Sequence, residues 1–172
     1  MHWAKCPCGP NCTITKAGAC KPGTGMPEPL LIIGIGNDSR GDDGLGWAFL
    51  DAIAPAVPPP GQLEYRYQLL VEDAELLTRF PQVLFVDASE KPLSGGFALE
   101  PCHPEPSAEL YTHQQTPGAI LCLCQELYGH RPEAWRLLIQ GYEWTFDTGL
   151  SGQAKVNLAH AADFFGAWLK NR

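Results

Sequence analysis

A short apolar run that leads directly into a glycine turn with two adjacent acids is the feature that most constrains this chain. The segment from Leu30 to Leu50 has the sequence LLIIGIGNDSRGDDGLGWAFL. The apolar run predicts a strand, and the turn that follows it carries Asp42 and Asp43. Ligands of an α/β sheet bind outside the carboxyl ends of the strands. We therefore expect the chemistry of this protein at this turn.

The turn suits a cation or a proton transfer better than it suits an anion. Its first two glycines resemble the start of a dinucleotide-binding fingerprint, but Ser39 stands where G-x-G-x-x-G requires its third glycine. A pyrophosphate would also face Asp38 and the two adjacent acids, with only Arg40 to offset their charge. Grouped carboxylates are typical of sites that bind divalent cations or move protons. The alternative is that Asp42 or Asp43 only caps the next helix.

Two further residues favour a site over a cap. Asp87 follows the apolar run Val83 to Val86, which predicts a central strand whose carboxyl end lies at the same sheet edge. A solvated turn acid is the alternative at that position. His113 lies in a segment that leads into Thr116 and Pro117, a pair that predicts the start of a helix. A single histidine is usually an ordinary polar residue, so His113 counts only together with the two acids.

The pattern of apolar residues predicts one α/β domain over residues 30–172, a three-layer α/β/α sandwich around a mostly parallel twisted sheet. Strands are predicted near residues 30–35, 62–68, 83–87, 96–100 and 135–142. Helices are predicted near residues 43–54, 72–80, 117–128 and 152–169, the last of them amphipathic and packed on the sheet. The loop from Pro101 to Gln115 is the longest irregular stretch and is predicted to contact substrate.

Composition excludes several classes of function. The formal net charge of -7 argues against binding of nucleic acid. No apolar run approaches the ~18 residues that span a bilayer, and the N-terminus lacks the layout of a signal peptide, so we expect a cytoplasmic protein without membrane contact. Seven cysteines do not suit a complete disulfide framework, so Cys102, Cys122 and Cys124 are predicted to be free thiols.

Residues 1–29 form an extension rich in Cys, Gly and Pro that precedes the first predicted strand. Clustered thiols can bind a soft metal such as zinc, but C-x-C-x3-C-x7-C is not a standard structural zinc spacing. We favour a disordered tail, or a translation start at Met26, over a metal module. The cysteines of the extension are Cys6, Cys8, Cys12 and Cys20.

The order and spacing of several motifs make the chain resemble the hydrogenase maturation proteases, the endopeptidases that trim the C-terminal extension from nickel-iron hydrogenase large subunits. The resemblance runs from about Leu30 to the C-terminus. The motifs are GIGNDSRGDDGLG from Gly34, QLLVEDAELL from Gln68, VLFVDAS from Val83, THQQTPGAI from Thr112, and LLIQGYEW followed by GLSGQAKVNL.

The resemblance implies an activity, a partner and a set of site residues. In this family an acid of the glycine turn, an acid after a later strand and a histidine bind a nickel-like metal. These positions correspond to Asp43, Asp87 and His113, which the resemblance implies to be both metal ligands and catalytic residues. The metal is implied to be the nickel already loaded into the hydrogenase precursor. Asp42 becomes a neighbour of the ligands, and Asp42 or Asp38 is a candidate for the base that activates water.

Standard protease chemistry is not indicated, because the chain contains neither G-x-S-x-G nor H-E-x-x-H. Two other classes stay open. The chain is alternatively a nickel-dependent binding or checkpoint factor without peptidase activity, or a nucleotide-binding module against which Ser39 and the acids already argue. A monomer is expected.

Overall fold

The computed structural model describes residues 12–14, 20–22, 28–106, 115–146 and 149–170 of the chain. A five-stranded sheet forms its centre, in the order β4-β3-β5-β7-β6, and only β6 runs antiparallel to its neighbour. The strands are β3 (Leu30–Ile35), β4 (Gln62–Arg66), β5 (Gln82–Ser89), β6 (Phe97–Pro101) and β7 (Glu133–Gln140). The remaining two, β1 (Cys12–Ile14) and β2 (Cys20–Pro22), form a separate antiparallel pair.

Helices cover both faces of the sheet, which explains why every residue of β3 is buried. The helices are α1 (Leu45–Ile53), α2 (Asp73–Leu77), α3 (Pro117–Tyr128) and α4 (Gly152–Lys170). Side chains of α1 and α4 pack on one face around Phe49 and Phe165. Side chains of α2 and α3 pack on the other face around Leu77 and Ile120. The three-layer sandwich predicted from the sequence is confirmed.

The predicted elements agree with the observed ones to within a few residues. The helix predicted over 117–128 is observed there, since Thr116 Oγ accepts a hydrogen bond of 3.1 Å from the Ala119 amide and Gly129 ends the helix with a φ of 65°. Two predictions differ from the structure. The first helix is divided into a 3-10 turn, Gly41–Gly44, and α1, while α2 is shorter than the predicted 72–80.

The structure tests some of the predictions made from composition and leaves others open. Cys102, Cys122 and Cys124 are free cysteines, as predicted. Among the described residues, no helix is long and apolar enough to cross a membrane. The strands β1 and β2 were not predicted. Two expectations stay predictions, because they concern residues or side chains outside the described part. They are disorder of the rest of the extension and a soft metal at Cys6, Cys8, Cys12 and Cys20.

A chain that begins at Met26 is expected to fold with an unchanged melting temperature. The first core strand begins at Leu30, and the described core clusters contain no residue before it. Thermal unfolding of the shortened and full-length chains checks this expectation. A lower melting temperature for the shortened chain, or a zinc content and zinc-dependent activity confined to the full-length chain, would instead make residues 1–25 a metal module.

Candidate functional site

The turn that carries Asp43 is pressed against the end of the sheet. Gly36, with a φ of 131°, leaves β3, and its amide donates a hydrogen bond of 3.0 Å to the Arg66 carbonyl at the end of β4. A Cβ at Gly36 would overlap the carbonyl oxygen of Asp43, so this close approach requires glycine. The amide of Asn37 then donates to Asp43 Oδ2 at 3.1 Å. This bond orients the carboxylate back toward the end of β3.

Neither acid of the turn acts as a helix cap. The N-cap positions of the 3-10 turn and of α1 are Arg40 and Gly44, and neither has a side-chain capping bond. Asp43 instead bonds the Asn37 amide, and Asp42 bonds a distant loop. A capping hydrogen bond from either acid is therefore excluded, although both acids lie in the first turn, where a negative charge complements the helix dipole.

Asp87 lies at the same edge, beside the turn. The strand β5 continues two residues beyond Asp87, but its pairing with β3 ends one residue earlier, at Val86 opposite Gly34. Burial is the main cause that raises the pKa of Asp87 to about 6. A bond of 2.8 Å from the Ala88 amide lowers that pKa, and the charge of Asp43 raises it further. The charge of Asp43 thus affects the pKa of Asp87, although the two acids are separated by more than forty residues of sequence.

His113 is outside the described residues, so its convergence with the two acids stays a prediction. The chain on both sides of residues 107–114 is described. Glu105 donates its amide hydrogen to the Gly118 carbonyl at 3.0 Å, next to the start of α3. Gln115 forms an antiparallel bridge with Leu69, three residues beyond the carboxyl end of β4. The loop predicted to contact substrate therefore returns to the described fold at the expected sheet edge.

Asp42 is completely buried, and its carboxylate is held by four hydrogen bonds. Oδ2 accepts from the amides of Tyr142 and Glu143 at 2.7 and 2.9 Å and from Ser151 Oγ at 2.8 Å. Oδ1 accepts from the Ser151 amide at 2.7 Å. The amide of Asp42 also donates to the Glu143 carbonyl at 2.7 Å. Asp42 thus fastens the turn to the segment between β7 and α4.

This geometry does not suit the role of Asp42 as the base that activates water. Burial alone raises the pKa of Asp42, but the bonds from Glu143, Ser151 and Tyr142 outweigh burial and hold that pKa below its ordinary value. The charged carboxylate directs its oxygens at protein donors, away from solvent. The contacts instead favour the other role considered for Asp42, that of a neighbour of the ligands that fixes the position of Asp43, and its role in catalysis stays a prediction.

The partners of Asp42 were not identified from the sequence. Ser151 also accepts a bond of 3.2 Å from the Ala154 amide, so it caps α4 as well as binding Asp42. A serine directly before a predicted helix was the available signal for the cap. No local signal indicates its bond to Asp42, which lies 109 residues earlier. Gly141 makes room for this contact, since a Cβ there would lie 2.7 Å from the Cβ of Asp42.

The donor chemistry of Asp43 and Asp87 fits a divalent cation. Two carboxylates whose charges repel each other gain stability when a cation neutralises them. Within the described ranges, however, no three His, Cys, Asp or Glu side chains are grouped to hold a metal. The expected third ligand, His113, lies outside those ranges. The same carboxylate charges oppose a bound pyrophosphate, which argues further against the nucleotide-binding alternative.

No family model and no curated protein sequence matches the chain significantly. Solved structures do resemble it. The NiFe hydrogenase maturation protease HycI from Thermococcus kodakarensis superposes with a TM-score of 0.64 at 22% identity, over 83% of this chain and 93% of that one. The hydrogenase maturating endopeptidase HybD from E. coli gives a TM-score of 0.65 at 16% identity, over the same shares of each chain.

A hydrogenase 2 maturation peptidase from a Thaumarchaeota archaeon is similar to the chain as well, with a TM-score of 0.60 at 17% identity, over 83% of this chain and 98% of that one. These similarities show that the chain has the fold of the hydrogenase maturation proteases. They confirm the resemblance stated from the sequence motifs at the level of the fold.

Proposed function

We propose that this protein is an endopeptidase that removes the C-terminal extension of a nickel-iron hydrogenase large-subunit precursor after nickel insertion. The observation that carries the proposal is that two carboxylates, Asp43 and Asp87, meet at the carboxyl edge of a sheet with the fold of these proteases, where the charge of Asp43 raises the pKa of Asp87. The reaction takes place in the cytoplasm, and the enzyme acts as a monomer.

In this proposal Asp43, Asp87 and His113 bind the nickel that the precursor carries. Nickel held by these residues would act as a Lewis acid toward a bound carbonyl or water. The Asn37 amide and the buried carboxylate of Asp42 hold the Asp43 turn in place before substrate arrives. Binding of a cation favours the charged form of Asp87, whose pKa of about 6 lies close to neutral pH.

One catalytic role, that of the base that activates water, is still to be assigned. Of the two acids considered from the sequence, Asp38 is the one that suits it, because its side chain is exposed on the turn while Asp42 is buried. A precursor without nickel lacks the cation that Asp43 and Asp87 bind, so cleavage depends on prior nickel insertion.

Incubation of the purified protein with nickel-loaded and nickel-free precursor tests this function. We expect intact-mass spectrometry to find one shortened product, with a cut near the C-terminus, only from the nickel-loaded precursor. Stable binding of nickel-loaded precursor without shortening would replace the protease by the checkpoint factor considered above. Equal cleavage of both precursors would remove nickel from the proposal.

A further inference from the structure

Exposed apolar side chains are concentrated around the turn that carries Asp43. Ten large hydrophobic residues are exposed in the described part of the chain, and five of them lie in two short segments at the carboxyl edge of the sheet. These five residues are called the apolar rim and are Tyr67, Leu70, Val71, Tyr142 and Phe146, with exposed fractions of 45 to 66%. Clustered exposure of this kind is typical of an interaction surface.

One flank of the rim is fixed to the turn through Trp47. This residue lies in the first turn of α1, and its ring centroid is 4.8 Å from that of Tyr67. Its indole N–H donates a hydrogen bond of 3.1 Å to the Arg66 carbonyl. Tyr67 is 65% exposed although its ring contacts Trp47, so it presents a fixed apolar surface to solvent.

The other flank is fixed to the turn through Asp42 and Arg40. The amide of Tyr142 donates to the Asp42 carboxylate. The guanidinium of Arg40 lies over the ring of Phe146, 5.7 Å from its centroid, and Arg40 Nε donates to the Trp144 carbonyl at 3.3 Å. The Asp43 turn therefore lies between two exposed apolar flanks, each held by contacts with residues next to that turn.

Charged side chains beside the apolar rim indicate which kind of partner it binds. Among the described residues of these segments, Asp38, Glu72 and Glu143 are exposed acids and Arg40 is an exposed cation. Arg66, beside Tyr67, is half-buried and already paired with Glu64 and Asp73. A partner that covers these segments is repelled if it is acidic and attracted if it is apolar with a net positive charge. A second copy of this chain carries a formal net charge of -7, which disfavours self-association through this surface.

We infer that the apolar rim is the docking surface for the precursor polypeptide that carries the scissile bond, a segment with apolar side chains and a net positive charge. This inference rests on the proposed function and adds to it the residues that select the substrate. The two flanks contact the polypeptide on either side of the turn, and the scissile peptide bond between these contacts lies over Asp43 and Asp87. Rim contacts act in binding, and the two acids act in the cleavage step.

Steady-state cleavage of nickel-loaded precursor by Tyr67→Ser and Phe146→Ser variants of the full-length chain tests the inference. Truncating an anchoring aromatic residue is expected to raise KM roughly tenfold for each variant, with kcat changed less than about twofold. Leu127→Ser and Tyr128→Ser are the matched controls, since both side chains are exposed, at 65 and 49%, but belong to α3 outside the rim. Both controls are expected to keep the wild-type KM.

Melting temperatures of all four variants separate a binding defect from a folding defect. Rim variants with the KM of the controls, or with a reduced kcat at unchanged KM, would overturn the inference. Loss of a dimer in sedimentation of the rim variants would assign the surface to a second copy instead. Failure of the wild-type chain to cleave any precursor would refute the proposed function. Binding of uncleaved precursor would then test the docking surface separately, because weaker binding by the rim variants than by the control variants would support it and equal binding would overturn it.

Discussion

Replacing Asp87 by asparagine is expected to abolish precursor processing and, at neutral pH, to stabilise the fold. The substitution keeps the shape of the side chain and removes a charge that burial and Asp43 both disfavour. The lost charge is one of the two carboxylates proposed to bind the precursor's nickel. Asp43→Asn is expected to abolish processing in the same way, with a melting temperature that is unchanged or raised.

The pH dependence of the Asp87→Asn effect has a defined sign. Because the pKa of Asp87 is raised from 3.8 to about 6 on folding, the native wild type binds more protons than the unfolded chain between these values. Wild-type stability therefore falls as pH rises through this window, by at most about 3 kcal/mol. The variant lacks this loss, so its advantage should be present at pH 8 and absent near pH 4.

Thermal unfolding at both pH values, together with precursor cleavage, checks these outcomes. Asp163→Asn, at an exposed position on α4, is the matched control and should change neither property. An Asp87 variant that is destabilised at pH 8 but still cleaves precursor would make Asp87 a structural acid and remove it from the site.

Asp42→Asn is expected to have the largest effect on stability. The asparagine side chain presents an amide group where one carboxylate oxygen now accepts bonds, so buried donors of Tyr142, Glu143 or Ser151 lose their acceptor. Each buried donor left unsatisfied costs about 1–3 kcal/mol, so the loss of two acceptor contacts costs on the order of 3–5 kcal/mol. For a chain of this length, such a loss lowers the melting temperature by roughly 10 °C.

Ser151→Ala is the graded comparison for Asp42→Asn, because it keeps the three amide donors and removes the hydroxyl, which donates to Asp42 and caps α4 at Ala154. Its expected cost, for the hydrogen bond and the cap together, is about 2 kcal/mol, with processing largely retained after correction for the folded fraction. Denaturant unfolding of the two variants measures both losses. If Asp42→Asn instead kept its stability and lost only processing, Asp42 would return as the base that activates water.

The local sequence was sufficient for the elements and for the edge at which the chemistry lies. The apolar runs of β3 and β5 predicted buried strands, and Thr116 with Pro117 predicted the start of α3, because hydrophobic period and capping are properties of adjacent residues. The glycine turn and the strand that contains Asp87 then had to meet at one edge, since parallel strands share their carboxyl side.

Other features were decided by tertiary structure alone. The sequence presents Asp42 and Asp43 as equivalent neighbours, yet one is buried under four hydrogen bonds and the other lies beside Asp87. The difference arises from Ser151 and the segment after β7, more than a hundred residues away, which only the packed fold brings to the turn. The role of a carboxylate depends on its donors and its burial, and local sequence does not specify contacts at that separation.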